Sequence, residues 1–241
     1  RIHAKTVVNA TGVFAEKIIK KDDPSIDISI QPSQGVHLVL DKSFLKSENA
    51  IMVPNTSDGR VLFAVPWHDA VVVGTTDHTV KEASIEPQAS EDEIQFILDN
   101  AEKYMTCKPK KSDIKSIFTG LRPLISHEKK SSKSLSRKHA VIQGKKGVVH
   151  LLGGKWTTYR KMGQDTIDHI IRKQNIKAKD SQTEKLQIFG YQKNLSWDDP
   201  LYFYGSEKRK VQAMGSNDRL SKTLPLTEAQ IHYAIKYEMA L

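Results

Sequence analysis

The chain has 241 residues, enough to bury a sizeable core in one large domain or two smaller ones. A hydrophobic fraction of 38% with 27% charged residues argues against a disordered chain. The net charge of +9 favours anionic partners: a phosphorylated metabolite, an acidic lipid surface or nucleic acid. The single cysteine, Cys107, excludes an intrachain disulfide and a cysteine-based zinc site. No apolar run approaches the roughly 20 residues that a membrane-spanning helix needs.

The first third of the chain predicts a sheet. Residues 4–10 form an apolar run typical of a buried strand, which ends in a turn at Thr11 and Gly12, and a helix is predicted over residues 13–20. Five short strand-like segments follow between residues 28 and 74, separated by Pro, Gly, Asn and Asp. Their partial alternation predicts an antiparallel sheet with one covered face. The segments are ISIQP, VHLVL, AIMVP, VLFAVP and AVVVG.

The next elements are a helix and a strand. Ser90 and Glu93 form a capping box, in which the hydroxyl and the carboxylate satisfy free amide groups at the start of a helix. Residues 113–118 predict a strand that leads into the sequence Gly-Leu-Arg-Pro at residues 120–123. The helix is supported by apolar residues at helical spacing, namely Ile94, Ile97, Leu98, Ala101 and Met105.

The last third of the chain changes character. Residues 140–152 predict a hairpin, and a helix is predicted over residues 157–173. The sequence then becomes polar and irregular, and we expect a domain boundary near residues 175–190. Thr227 and Gln230 form a second capping box, which predicts a final helix.

The strongest local signal is Gly-Gly-Lys-Trp-Thr-Thr-Tyr-Arg at residues 153–160, between a strand and a helix. The two glycines allow a ligand to approach the backbone, and amides at a helix start favour negative charge. Such a site suits a phosphate or the N1/C2=O edge of a flavin. Residues 7–12, an apolar strand that ends in a turn of small residues, give a weaker signal of this kind, since small residues after a strand allow a nucleotide to approach. Ordinary turns are the simpler alternative for both segments.

Three basic side chains are candidate ligands for anionic oxygens. Arg122 precedes a proline that fixes the backbone, so its guanidinium can be held against a phosphate or carboxylate. Arg137, in a basic serine-rich loop at residues 128–138, has the same two interpretations. His37 follows a glycine on a strand and is a candidate general base or phosphate donor. A surface arginine and a structural histidine are the simpler alternatives.

Several functional classes lack sequence support. The nine histidines show no HxxxH, HxH or HExxH spacing, so no metal site is expected. No GxSxG, GxxxxGK[ST] or GxGxxG motif is present. The basic loop lacks interleaved aromatic residues and no nucleic-acid-binding motif occurs, so no nucleic-acid partner is expected.

The motifs are far more specific in combination than singly. Seven motifs occur in one chain in this order: NATG, QGVH, PNTSDGRVLFAVPW, VVGTTD, GLRPL, SR and GGKWTTYR. Over residues 4–175 the sequence resembles the FAD-dependent, quinone-linked glycerol-3-phosphate dehydrogenase family, and the resemblance continues more weakly to the end. That family's N-terminal GxGxxG motif, which holds the FAD pyrophosphate, is absent. We therefore expect the chain to be an incomplete piece of the enzyme that neither binds FAD tightly nor turns over alone.

The resemblance implies a mixed α+β and α/β fold. It comprises part of a glutathione-reductase-type FAD domain, a substrate domain built on an antiparallel sheet, and the start of a helical C-terminal domain. Residues 1–24 and 139–175 are expected in the FAD domain. Residues 25–138 are expected mainly in the substrate domain, and residues 176–241 at the start of the C-terminal domain.

The implied reaction oxidises sn-glycerol 3-phosphate to dihydroxyacetone phosphate, with hydride transfer to flavin N5 and electron transfer to a membrane quinone. Arg122 is the first candidate ligand of the phosphate and Arg137 the second. His37 is the candidate base for the C2 hydroxyl proton. Lys155 is expected to bind substrate and to stabilise developing negative charge. The expected FAD contacts are Thr11, Gly12, Gly153, Gly154, Lys155, Trp156 and Thr157.

Two alternatives remain open at the sequence level. A related FAD-dependent amino-acid or hydroxy-acid oxidase would present a carboxylate, which a single arginine can hold, whereas a phosphate dianion favours several cations. A non-catalytic module would bind an anionic surface through the net positive charge. For the complete enzyme, we expect a cytoplasmic protein, peripheral on the inner membrane of a bacterium, and the mitochondrial inner membrane is the open alternative. A homodimer is a further expectation.

Overall fold

The computed structural model of the chain describes residues 3–126, 138–196, 199–222 and 226–240, which divide into two compact units, Arg1–Asp180 and Ser181–Leu241. Among these residues, no helix combines the length and apolar character needed to cross a bilayer. The elements of the first unit are β1 (Val8–Asn9), α1 (Ala15–Asp22), β2 (Ser29–Asp41), β3 (Ile51–Val53), β4 (Leu62–Trp67), β5 (Ala70–Gly74), β6 (His78–Thr79), α2 (Glu91–Ala101), β7 (Ser116–Ser126), β8 (His139–Gln143), β9 (Val149–Gly153) and α3 (Tyr159–Gln174).

The larger sheet is built around the long strand β2. Six of the described strands take part, in the order β3-β4-β5-β2-β6, and β7 also pairs with β2. All of these pairs are antiparallel, as the sequence predicted. The carboxyl-terminal half of β2 lies between β5 and β7, so that His37 stands opposite Gly74 on one side and Phe118 on the other.

Strand β2 is continuous where the sequence predicted two segments, ISIQP and VHLVL. Pro32 lies directly opposite Pro123 of β7, and its carbonyl accepts a hydrogen bond from the Val80 amide on the other edge at 3.0 Å. The N–H and C=O of a strand residue point to the same side, and the Pro32 carbonyl points away from β7. Pro32 and Pro123 therefore form a pair that exchanges no hydrogen bonds, so the missing N–H of proline does not interrupt the β2–β7 ladder. Pro123 likewise does not end its strand, so the sequence Gly-Leu-Arg-Pro lies inside β7, although it was predicted to follow a strand.

One face of the large sheet is covered, as predicted, and the element that covers it is α2. The capping box of Ser90 and Glu93 is present, and the helix ends at Ala101, so that Met105 lies beyond it. Burying this face against the helix removes the apolar side chains from water, the main source of stability for the unit. The contact joins Val36, Leu38 and Leu40 of β2 to Ile94, Ile97 and Leu98 of α2.

The smaller sheet contains β1, β9 and β8 in that order. The β8–β9 hairpin forms as predicted, and β1 runs parallel to β9. The strand predicted over residues 4–10 is restricted to Val8 and Asn9, because only these two residues pair with β9. Ala15 and Ile19 of α1 pack with Leu152 of β9 in a buried cluster that also contains Ile30 of β2 and Ile125 of β7.

Two helices in this unit begin later than predicted because short 3-10 turns precede them. The turn Gly12–Phe14 precedes α1, and the turn Trp156–Thr158 precedes α3. Both turns directly follow a strand of the smaller sheet and its small-residue linker. They therefore place Gly12 and Lys155 just beyond the carboxyl ends of two neighbouring parallel strands.

The second unit is helical in the part that the structure describes. It contains a 3-10 segment at Tyr202–Glu207, followed by α4 (Lys208–Gln212) and α5 (Glu228–Tyr237). The capping box of Thr227 and Gln230 is present, as predicted. A small core joins α4 to α5 through Val211, Ala229 and Tyr233.

Candidate functional site

A cleft of about 330 Å³ lies between strand β7 and the loop that follows β9. Residues 121–124 line it on one side and residues 154–156 on the other. It thus joins the Gly-Leu-Arg-Pro and Gly-Gly-Lys-Trp motifs, which are separated by some thirty positions in the chain. Two of the predicted cationic residues, Arg122 and Lys155, lie in its wall.

The side chain of Arg122 is held in a fixed position on the large sheet. Its Nη1 atom donates to the carbonyl oxygens of Thr76 and Gln34, at 3.2 and 3.4 Å. Its Nη2 atom donates to the Thr75 hydroxyl at 3.0 Å and to the Thr76 carbonyl at 3.3 Å. A guanidinium with several simultaneous partners loses less freedom when it binds an anion, because it is already oriented.

Arg122 forms a long ion pair with Asp77. The nearest atom of Asp77 lies 3.5 Å from Nη1, and the Ser33 hydroxyl also donates a hydrogen bond to that carboxylate. The side chains of Arg122 and Asp77 keep 30% and 22% of their surface exposed. An anion arriving in the cleft would meet a guanidinium that is already in place.

His37 lies on the same sheet face as Arg122. The positions of Ser33 and His37 on β2 share a face because side chains alternate along a strand, and Arg122 stands opposite Ser33. The imidazole stacks on the Phe118 ring, with centroids 4.8 Å apart and an angle of 8° between the planes. Burial lowers the pKa of His37 below its usual 6.5, and the positive charge of Arg122 lowers it further. The ring is therefore neutral at pH 7, the form that can accept a proton.

The Gly-Gly-Lys-Trp loop has a backbone that only glycine adopts readily. Gly153 and Gly154 have φ angles of +66° and +85°, and a Cβ on Gly154 would lie 2.4 Å from the sulfur of Met162. The Lys155 amide donates to the Thr158 hydroxyl at 3.2 Å, which closes the turn before α3. The Trp156 side chain is 87% exposed at the edge of the cleft. The loop thus presents backbone, a cation and an aromatic ring together.

The turn after β1 is fixed by a buried polar network. The Asn9 side-chain oxygen accepts hydrogen bonds from the Thr11 amide and hydroxyl, at 3.3 and 2.7 Å. The Asn9 side-chain nitrogen lies 2.9 Å from Nδ1 of the fully buried His150, whose Nε2 lies 3.0 Å from Asp22 Oδ2. These contacts hold Thr11 and Gly12 at the end of β1, and the turn Gly12–Phe14 lies next to β7 and β9.

These features suit a dinucleotide cofactor at the edge where β1 and β9 end. Parallel strands bring their carboxyl ends to one edge of a sheet, where nucleotides bind in α/β folds. Gly154 offers backbone unobstructed by a Cβ, and Lys155 supplies positive charge for an electron-rich ring edge or a phosphate. The residues present therefore fit the flavin nucleotide that the sequence motifs imply.

The structure brings some of the predicted site residues together and leaves others apart. Arg122, Gly154, Lys155 and Trp156 share the cleft. His37 is beside Arg122 but is not among the residues lining the cleft. Arg137 and most of its basic loop fall outside the described residues. The described residues hold no metal-binding cluster of His, Cys, Asp or Glu. The other expected cofactor contacts do not line the cleft. Gly153 and Thr157 flank the lining residues 154–156 in the sequence, and the turn that follows Thr11 and begins at Gly12 lies beside β7 and β9.

Sequence reasoning assigned no role to the residues that hold Arg122. Thr75, Thr76 and Asp77 belong to the Val-Val-Gly-Thr-Thr-Asp motif, which served only as part of the family resemblance. Phe118, the stacking partner of His37, sits two positions before Gly-Leu-Arg-Pro and was assigned only to a strand. The one available signal was that Thr75, Thr76 and Asp77 are polar and directly follow an apolar strand. That signal does not show that Arg122 is their partner.

Comparison with known proteins gives consistent matches. The model of the family described as FAD dependent oxidoreductase matches residues 1–160. A mitochondrial glycerol-3-phosphate dehydrogenase of Bos taurus is 34% identical over 98% of this chain and 36% of its own length. The corresponding protein of Arabidopsis thaliana is 42% identical over 98% of this chain and 43% of its own. The chain thus spans about two fifths of these curated relatives.

A solved structure gives the same result. The glycerol-3-phosphate dehydrogenase from Bacillus halodurans, complexed with FAD, superposes with a TM-score of 0.82 at 26% identity, over 99% of this chain and 51% of that one. The predicted fold class is confirmed, and so is FAD as the cofactor. The chain belongs to the family of FAD-dependent oxidoreductases.

Proposed function

We propose that the complete protein containing this chain oxidises sn-glycerol 3-phosphate to dihydroxyacetone phosphate with FAD. The observation that carries the proposal is the Arg122 guanidinium, held by Thr75, Thr76 and Gln34 in one cleft with Lys155. Two cations in one small cleft suit a phosphate dianion better than a single carboxylate. The relatives named above carry the same activity in their names.

Arg122 and Lys155 would bind the substrate's phosphate. The guanidinium brings a permanent positive charge to the phosphate, and its existing hydrogen bonds from Nη1 and Nη2 hold that charge in place. Lys155 adds a mobile point charge from the opposite wall of the cleft, either to the phosphate or to the C2 oxygen. Arg137 is the proposed third cation, from the serine-rich loop.

His37 would accept the C2 hydroxyl proton. Its lowered pKa keeps the imidazole neutral at pH 7, and stacking on Phe118 fixes the plane of the ring. FAD, when bound, supplies the acceptor for the hydride that leaves C2. Thr11, Gly12 and residues 153–157 would hold that cofactor, through backbone amides, the Lys155 charge and the Trp156 ring.

We also propose the electron acceptor and the location. Electrons would pass to a membrane quinone, from a protein that is peripheral on the cytoplasmic face of the inner membrane and forms a homodimer. The net charge of +9 supports adsorption to acidic lipid, an attraction that salt weakens. Sedimentation with vesicles of acidic and neutral lipid at two salt concentrations tests the adsorption. Reduction of a soluble quinone by glycerol 3-phosphate tests the acceptor.

The reaction itself is tested with the complete gene product, purified in detergent. Its visible spectrum is recorded before and after anaerobic addition of glycerol 3-phosphate, glycine or lactate. Bleaching of the flavin bands by glycerol 3-phosphate alone is the expected result. Bleaching by an amino acid or a hydroxy acid instead would assign the protein to the carboxylate-oxidising branch. A colourless protein after addition of FAD, with vesicle binding retained, would support the non-catalytic alternative.

A further inference from the structure

Glu93 is a carboxylate that is only 2% exposed although it caps a helix end. One of its oxygens, Oε2, accepts from the Ser90 amide at 3.0 Å and completes the capping box of α2. The same oxygen accepts from the side-chain amide of Gln34 at 2.7 Å. The other oxygen, Oε1, accepts from the Thr76 hydroxyl at 2.8 Å. Glu93 therefore joins α2 to two separate segments of the large sheet.

These two segments are the ones that hold Arg122. The backbone carbonyls of Gln34 and Thr76 accept the hydrogen bonds of Nη1, and the Thr76 carbonyl also accepts one from Nη2. The Thr76 hydroxyl in turn accepts from the Val36 amide at 3.0 Å, so that Thr76 is fixed to β2 as well. The same carboxylate thus contacts, from the opposite side, the side chains of both residues whose carbonyls lie beneath the guanidinium.

Capping α2 requires only one of these contacts. A capping box uses the Glu93–Ser90 interaction and forms equally well on an exposed helix, whereas a buried carboxylate is costly unless every oxygen is satisfied. Burial acts to raise the pKa of Glu93, but hydrogen bonds from Ser90, Thr76 and Gln34 outweigh it and lower the pKa. The carboxylate is consequently anionic near pH 7, and each of its donors is held by a charge-assisted hydrogen bond.

We propose that Glu93 is a positioning residue, which sets the place and plane of the Arg122 guanidinium by fixing the Gln34 and Thr76 carbonyls that receive its N–H groups. The inference rests on the proposed function, because the effect on substrate follows only if Arg122 binds the phosphate. Glu93 does not line the cleft, so its removal acts on substrate affinity through Arg122.

The test uses the complete flavoprotein and the substitution Glu93→Met, which keeps the side-chain length but removes both acceptors. We expect KM for glycerol 3-phosphate to rise about tenfold while kcat per bound flavin changes less than about threefold. Glu91→Met is the matched control, because Glu91 lies in the same helical turn with a 75% exposed side chain. It loses the same charge from the helix start without touching the sheet, so KM should stay at its original value.

A second pair of variants keeps the test decisive if Glu93→Met does not fold. Thr76→Val removes the hydroxyl that donates to Oε1 and accepts from the Val36 amide, but it leaves the helix cap intact, so KM should rise in the same direction. Thr79→Val makes the same change at an exposed position of neighbouring strand β6 and should leave KM unaltered. The proposal would be overturned if Glu93→Met folded and its KM were unchanged. If Glu93→Met does not fold, an unchanged KM in Thr76→Val would overturn it. Lower kcat and flavin content with an unchanged KM would reduce Glu93 to a structural role.

A parallel measurement separates this inference from the proposed function. Binding of inorganic phosphate is measured by calorimetry for the unaltered protein, Arg122→Gln and Glu93→Met. Phosphate binding lost in Arg122→Gln but retained in Glu93→Met would overturn the positioning role, whichever substrate the enzyme oxidises. An unaltered protein that neither reacts with glycerol 3-phosphate nor binds phosphate would overturn the proposed function and remove the premise.

Discussion

Gly35 and Arg122 approach each other so closely that a Cβ on residue 35 would lie 2.4 Å from Arg122 Nη2. The guanidinium occupies the space that a side chain on β2 would otherwise fill. Gly35→Ala should therefore displace the end of the flexible Arg122 side chain and raise KM for glycerol 3-phosphate about tenfold. Stability should fall by about 1–3 kcal/mol, since the displaced guanidinium loses its hydrogen bonds to the Thr76 and Gln34 carbonyls.

Gly120 supplies the matched control for that substitution. It stands directly opposite Gly35 in the β2–β7 ladder, but a Cβ there would meet nothing within 4 Å. Gly120→Ala should leave both KM and the melting temperature close to their original values. Steady-state kinetics and thermal unfolding of the two variants check the prediction, which would be wrong if both alanines had the same effect on KM.

The elements that the sequence predicted best are those specified by adjacent residues. The capping boxes that start with Ser90 and Thr227 each lie within four positions, and both form. Continuity of β2 was missed because it depends on Pro32 facing Pro123, which lies on a distant strand. A proline in a single sequence indicates the end of a strand, whereas its missing N–H has no consequence where the ladder has no hydrogen bond.

The site was predicted in its motifs but not in their support. Arg122 and Lys155 were identified as candidates because their motifs resemble those of a known family, and the fold brings both to one cleft. The contacts that orient Arg122 join residues 46 to 88 positions apart in the chain, and the contact of Glu93 with Gln34 spans 59 positions. A single sequence contains no signal that pairs such residues, so Glu93 was assigned only to its local capping role.

Because Arg122 lies near His37, we expect the pKa of His37 to depend on the charge of Arg122. Burial is the main reason that the pKa of His37 lies below 6.5, and the Arg122 charge lowers it further. Arg122→Gln removes the second cause, so the pKa of His37 should rise. Because a general base must be neutral, the acid limb of the pH–rate profile should lie below pH 6.5 in the unaltered enzyme and move upward in the variant.

Proton NMR of the His37 ring in the two proteins measures this shift directly, independently of turnover. Arg60→Gln is a suitable control, because Arg60 pairs with Asp58 in a loop of the same unit and does not contribute to the His37 pKa. An unaltered His37 titration in Arg122→Gln would show that the two side chains are not electrostatically coupled.

The buried pair of His150 and Asp22 should contribute strongly to stability. His150→Leu removes the contact of Asp22 Oδ2 with the fully buried imidazole, and leaves the Asn9 side-chain nitrogen only its bond to the Ala15 carbonyl among the described contacts. We expect a loss of about 3 kcal/mol in the free energy of unfolding, since breaking a buried pair strands a charge. His139→Leu is the control: its partner Asp165 is partly exposed and also pairs with Lys161, so less than ~1 kcal/mol should be lost. Urea unfolding distinguishes these outcomes.

Gly154 and Gly163 should respond to alanine in opposite ways. Gly154 has a φ of +85°, and a Cβ there would lie 2.4 Å from the sulfur of Met162, so Gly154→Ala must distort the loop before α3. Gly163 lies inside α3 with nothing within 4 Å of an added Cβ, and alanine there should stabilise the helix by about 1 kcal/mol. Flavin content per protein, read from the visible spectrum, should fall severalfold in Gly154→Ala and stay unchanged in Gly163→Ala. Full flavin content in Gly154→Ala would show that the loop does not hold the cofactor, because its distortion would then be without consequence for FAD.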